Sequence, residues 1–283
     1  MRNFFPSNNI QKLFCVVLVI LLATEFVNSQ KTVSFNFTNF KTTKSDIILQ
    51  GTAKISSSGV LELTDPYDPK VFVGRALYTL PVPIWDASTG NVASFITTFS
   101  FILENFGTTT PADGIVFFLA PPNTIIPNVS IGGWLGVIDG NNGFNQFVGV
   151  EFDNYANEWD PKYPHIGIDV NSLISLKTTP WNRVNRALVR VSIAYDSNSK
   201  TLSVVLTDNN GQLSTVAQVV DFKDVLPETV RIGFSASTSG PSRQLHTIQS
   251  WSFSSVLKTT TNSILKTTTP SSTNSNNTSS YVA

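Results

Sequence analysis

The chain has 283 residues, as many basic as acidic side chains, 13% charged positions and a single cysteine. That balance excludes a broadly basic nucleic-acid binder. One cysteine excludes an intramolecular disulfide framework and every multi-cysteine metal site, which leaves open a site built from a few acids and one of the two histidines.

Residues 1–29 read as a secretory signal. Arg2 and Lys12 make a basic start, Leu13 to Ala23 is an unbroken apolar run, and Val27-Asn28-Ser29 offers a cleavage site before Gln30. The run is about half the roughly 20 residues that a spanning helix needs, which argues against a membrane anchor. No later segment is long and apolar enough to span, so no membrane span is expected. Cleavage removes Met1 and Cys15 and leaves a sulfur-free chain. It also takes the 19 basic and 19 acidic residues to 17 and 18, a formal charge of −1. The route is oxidising, yet no disulfide can form, so packing, with or without a metal, must stabilise the product.

From Val33 to Phe253 strand signals recur between turn residues. Val33 to Thr38 alternates apolar and polar residues, and Asn36 opens a glycosylation sequon. Phe95 to Leu103 and Gly114 to Ala120 are longer or continuous apolar runs, expected in sheet layers covered on both sides. A second sequon stands at Asn128, followed by a turn over Asp139-Gly140-Asn141-Asn142-Gly143. Gln146 to Phe152 and Ile166 to Val170 are strands, Val189 to Ile193 alternates, and Thr201 to Thr207 is a strand ending in the turn Asp208-Asn209-Asn210-Gly211. Asp224-Val225-Leu226 before Pro227 allows one helical turn. His246 to Phe253 closes the series, with His246 expected as a satisfied structural residue. About a dozen short strands and no 3.6-residue period imply an all-β fold, a sandwich or jelly roll of two large antiparallel sheets. Lys258 to Ala283 is mostly Ser, Thr and Asn, with sequons at Asn276 and Asn277, and is expected as a flexible tail.

The chemistry concentrates between Val150 and Asp169. Glu151 and Asp153 point to one face of their strand, and Asn157, Asp160 and His165 follow where the chain turns and returns. Packed carboxylates raise one another's pKa unless a cation sits among them. One imidazole with carboxylates suits a transition ion such as Mn²⁺, and an all-oxygen set suits Ca²⁺. A solvated acidic turn is the plain alternative. A jelly-roll glycoside hydrolase is the competing chemistry, because such enzymes also carry Glu-x-Asp on a strand. They need a second carboxyl across the scissile bond, and here Tyr155-Ala156 follow instead. The chain has neither a Gly-x-Ser-x-Gly elbow nor a phosphate loop.

Taken in order, Ala112-Asp113-Gly114-Ile115-Val116-Phe117-Phe118, Gly132-Gly133-Trp134-Leu135-Gly136-Val137, Val150-Glu151-Phe152-Asp153, Trp159-Asp160-Pro161, His165 to Ser172 and Ser250-Trp251-Ser252-Phe253 resemble the legume lectins. The resemblance covers nearly all of residues 31–257 and implies a lectin domain at 30–257 between the signal and the tail 258–283. It implies a jelly-roll sandwich and a non-enzymatic glycan-binding site shaped by Ca²⁺ and Mn²⁺. Glu151, Asp153, Asp160 and His165 would bind manganese. Asp153, the carbonyl of Tyr155, Asn157 and Asp160 would bind calcium. Asp113, after a cis Ala112–Asp113 peptide, would accept from sugar hydroxyls, Gly133 and Asn157 would donate, and Tyr155 would stack on the sugar. The loop Ser237 to Arg243 resembles galactose-binding and fucose-binding members more than mannose/glucose ones, with Ser239 at a polar contact position. Pro241 departs from that pattern, since it offers no N–H. Homodimers or homotetramers, and an extracellular or vacuolar place on the secretory route, are implied too. A defence or storage relative without sugar binding is the alternative within the family.

Overall fold

A computed structural model describes residues 26–65, 67, 73–106, 110–238 and 242–262. Residues 30–259 form one compact unit. The expected signal and tail lie almost wholly outside the described residues, as does Ser239.

The strands, in chain order, are β1 Phe26–Phe37, β2 Ile47–Gly51, β3 Lys54–Ile55, β4 Leu61–Glu62, β5 Val73–Tyr78, β6 Val82–Pro83, β7 Ser94–Asn105 and β8 Gly114–Ala120. They continue as β9 Val148–Asp153, β10 His165–Val170, β11 Lys177–Pro180, β12 Leu188–Asp196, β13 Thr201–Thr207, β14 Leu213–Val219, β15 Thr229–Ser237 and β16 Gln244–Asn262. Two eight-stranded sheets result. The first runs β14-β13-β12-β7-β16-β4-β3 with β1 beside β16, and the second runs β11-β10-β9-β8-β15-β5-β2 with β6 beside β15. The expected two-sheet all-β architecture is the observed one. The expected helical turn is present as α1, Phe222–Val225, where the Asp221 carboxylate caps the Lys223 N–H.

Alternation decides what lies between the sheets. In β7 Phe95, Phe99, Phe101 and Leu103 are buried, whereas Ile96 is exposed. Coverage of both sides, expected for this run, is therefore not found: Ile96 and Thr98 face outward and are exposed among the described residues. β8 does meet that expectation, being buried at every residue. Ile115, Phe117 and Leu119 join the core between the sheets. Val116, Phe118 and Ala120 enter a second core with Leu135, Val137, Ile138, Phe147 and Leu173, contributed by the loops that cover the second sheet.

The inter-sheet core orients the acidic strand. Phe152 of β9 packs on Phe101 at 5.2 Å and Phe99 at 5.9 Å between ring centroids. Burying one such ring stabilises by about 1.5–3 kcal/mol. With Phe152 turned inward, the pleat sends Glu151 and Asp153 to the opposite face.

Candidate functional site

Antiparallel register sets the acids. Glu151 lies opposite Gly167 of β10 and Asp153 opposite His165. On the other side Asp153 lies opposite Gly114 of β8. A Cβ on Gly167 would stand 2.5 Å from Glu151 Oε1 and 2.1 Å from Ser175 Oγ, so glycine makes room for this carboxylate. His165 Nε2 lies 3.1 Å from Glu151 Oε1. The Ser175 hydroxyl lies 2.6 Å from that same oxygen and 2.8 Å from Asp169 Oδ1, bridging the two acids. One ligand atom each from Glu151, Asp160 and His165 fall within 4.8 Å of one another.

The loop after β9 folds back on itself. Tyr155 N donates to Asp153 Oδ1 at 2.6 Å and Asn157 N donates to Asp160 Oδ2 at 2.8 Å. Trp159 stacks on Trp134 at 4.8 Å. That contact joins the acidic loop to the short 3-10 turn Gly132–Trp134. A Cβ on Gly133 would stand 2.5 Å from Asn157 Oδ1, so glycine is what lets the Asn157 side chain lie this close to the turn's backbone.

Asp113 precedes β8, and the Ala112–Asp113 peptide is cis. Asp113 N donates to Ser237 O at 3.1 Å, and Asp113 O accepts from Asn154 N at 3.0 Å. Ser237 Oγ in turn accepts from Gly132 N at 2.7 Å. Asp113, Gly133 and Asn157 are thus tied to one cluster of loop ends. Tyr155 is 41% exposed beside them, which leaves its ring open to a partner from solvent.

Electrostatics show what this cluster lacks. Burial, then the charge of Glu151, pushes Asp153 well above the ordinary carboxylate range. Burial first, with Glu151 adding, does the same to Asp169. Burial chiefly pushes Asp160 to about 6. At His165 burial works to lower the pKa, but the hydrogen bond and charge of Glu151 outweigh it and raise it. Among the described residues nothing donates a hydrogen bond to the buried Asn157 Oδ1. Crowded acids with a spare amide oxygen are a donor set for a divalent cation, which would take the place of the protons.

Asp169, Ser175 and the Trp134–Trp159 pair were not singled out from the sequence. Asp169 carries a signal, being two residues from Gly167 and therefore on the same face as the residue opposite Glu151. Ser175 carries none, because it reaches the acids only through the bend after β10.

A family model for the legume lectin domain matches residues 32–269. The chain belongs to the legume lectin family. This legume lectin is 56% identical over 235 residues to the anti-H(O) lectin of Lotus tetragonolobus, covering 80% of this chain and 98% of the relative. It is 51% identical over 257 residues to the galactose-binding lectin of Arachis hypogaea, covering 88% and 93%. The solved Lotus tetragonolobus seed lectin superposes with a TM-score of 0.77 at 55% identity, covering 80% of this chain and 100% of that one. The chain is accordingly a carbohydrate-binding protein without enzymatic activity, as its lectin relatives are, and the hydrolase alternative is set aside.

Proposed function

We propose that this lectin binds galactose- or fucose-type glycans at Asp113, Gly133, Tyr155 and Asn157, on a loop preorganised by metal. The residues present fit a pair of ions. Glu151, Asp153, Asp160 and His165 would hold Mn²⁺, while Asp153, the Tyr155 carbonyl, Asn157 and Asp160 would hold Ca²⁺. The observation that carries this reading is the buried Asn157 Oδ1, without a hydrogen bond among the described residues, packed against Gly133 beside the cluster of Glu151, Asp160 and His165. The bound ions supply fixed positive charge and no redox or hydrolytic chemistry. Asn157 then has its amide oxygen directed inward and its N–H₂ free for a sugar hydroxyl. Gly133 offers a backbone N–H without a Cβ in the way, and Asp113 accepts from two hydroxyls. Tyr155 lays its exposed ring on the apolar C–H face of the sugar. Holding this loop in place beforehand reduces the ordering entropy lost on binding.

Similarity to the galactose-binding lectin of Arachis hypogaea supports galactose as the first ligand to test. Ser239 is proposed as a polar contact. Asn36 and Asn128, both exposed, are the proposed glycosylation sites. Removal of residues 1–29, an extracellular or vacuolar destination and a homodimer or homotetramer complete the reading. Among the described residues no helix is long and apolar enough to cross a membrane. A glycan array with Ca²⁺ and Mn²⁺, competed by galactose, fucose and mannose, tests the proposal. Binding that galactose or fucose competes and a chelator abolishes is expected. An array without signal would support the defence or storage alternative instead.

A further inference from the structure

The loops over the second sheet enclose a cavity of about 380 Å³ that none of Asp113, Gly133, Tyr155 and Asn157 lines. It is lined by the apolar Phe118, Val137 and Phe147 of the second core and also by Thr124 and the polar Asp139, Asn145 and Gln146. Into this lining β5 sends a charge. Arg75 is 1% exposed and lines the cavity.

The protein answers that charge only in part. One Nη donates to Thr124 Oγ1 at 2.9 Å, and the guanidinium carbon stands 4.5 Å from the centre of the Phe118 ring. The buried Nε makes no hydrogen bond among the described residues. Among the described residues no acid forms an ion pair with Arg75. Burial accordingly pulls the guanidinium down to about 9. A buried cation served by one hydroxyl and one ring is expensive to keep. An acid paired with it would remove that cost; Asp139 lines the same cavity but forms no ion pair with Arg75.

The chemistry that would complete the cavity follows from its walls. The planar guanidinium fork matches a carboxylate through two parallel hydrogen bonds. The apolar part of the lining favours an aromatic or aliphatic body behind that carboxylate. A phosphate dianion would bring two charges to one guanidinium and would have to be stripped of water to reach it. The volume falls in the range of small-ligand pockets, roughly 300–1,000 Å³.

We propose that this cavity is a second ligand site, distinct from the sugar site, for a small organic monocarboxylate. Arg75 pairs with the carboxylate, and Phe118, Val137 and Phe147 pack on its apolar body. The proposal does not depend on which glycan the lectin binds.

The test is ligand-observed NMR on the full chain, with phenylacetate as probe and neutral phenylacetamide as control, each with and without galactose. Phenylacetate is expected to bind whether or not galactose is present, and phenylacetamide about tenfold or more weakly. Arg75→Met should weaken phenylacetate by about tenfold or more. Asn123→Trp, at an exposed residue on the rim, should weaken it by narrowing the mouth, and it decides the matter if Arg75→Met does not fold. The proposal is overturned if phenylacetate does not bind, if phenylacetamide binds equally well, or if folded variants leave phenylacetate binding unchanged.

Discussion

Strands β7 and β8 are both rich in phenylalanine, yet they are buried differently. β7 hides Phe95, Phe99 and Phe101 and leaves Ile96 in solvent, while β8 hides both Phe117 and its neighbour Phe118. The difference lies in what covers the far side of each sheet. Loops carrying Leu135, Val137, Phe147 and Leu173 lie over β8, and no such layer lies over the outer face of β7 among the described residues. The covered sheet is also the one that buries Asp113, Glu151, Asp153 and His165. Loops that build a second core can hold polar groups out of water, whereas a bare sheet face cannot.

The largest effect that tests this contrast is in β8. Phe117→Ala and Phe118→Ala should each cost about 3–5 kcal/mol, because each removes a ring from a closed core. Phe99→Ala in β7 should cost the same, while its outward neighbour Ile96→Ala should stay within about 0.5 kcal/mol. Urea denaturation of the four variants measures this. A Phe118→Ala cost as small as that of Ile96→Ala would mean the loops do not form a core.

A smaller effect is expected where the covered sheet is tightest. Gly167→Ala forces a methyl group against Ser175 Oγ and Glu151 Oε1. About 1–3 kcal/mol of stability should be lost, read as a lower thermal midpoint. Gly167→Ala melting like the parent would show that the acids have room to shift.

The uncovered sheet also buries a histidine. Burial, with help from the charge of Arg183, holds His246 neutral down to about 3, against an ordinary value of 6.5. Between those values the unfolded chain binds a proton that the native chain refuses. Stability is therefore fully present above about 6.5 and is lost as pH falls toward 3, by at most about 1.4 kcal/mol per pH unit. His246→Gln should flatten that slope in denaturation curves taken at several pH values; an unaltered slope would remove His246 as its origin.

The finest test is the Ser175 bridge. Ser175→Ala should lower Mn²⁺ affinity by about tenfold through Glu151 while leaving the strands folded. Calorimetric titration of the metal-stripped lectin measures it, and unchanged affinity would make Ser175 a bystander.

Strand positions were largely legible in advance. β8 and β13 begin and end where the apolar runs and turn residues put them, because period-two alternation is a local property. β9 starts at Val148, not at Gln146, for a reason no local pattern carries. Phe147 N donates to the side chain of Asn171 at 3.0 Å, replacing a ladder bond, and the Phe147 ring enters the second core. The expectation for His246 was half right. Nδ1 meets Thr64 Oγ1 at 2.8 Å, but the buried Nε2 has no hydrogen-bond partner among the described residues.

The sequence by itself determined the all-β class, the faces of the strands and the gathering of Glu151, Asp153, Asp160 and His165, since all of these follow from spacing within a few residues. Only the tertiary structure decided which sheet is covered on both sides, that Ser175 bridges two acids, that Trp134 meets Trp159, and that Arg75 is buried beside Phe118 with no ion pair among the described residues. Each of those depends on segments far apart in the chain, brought together by the burial of two cores, and no pattern along one strand records what packs against it.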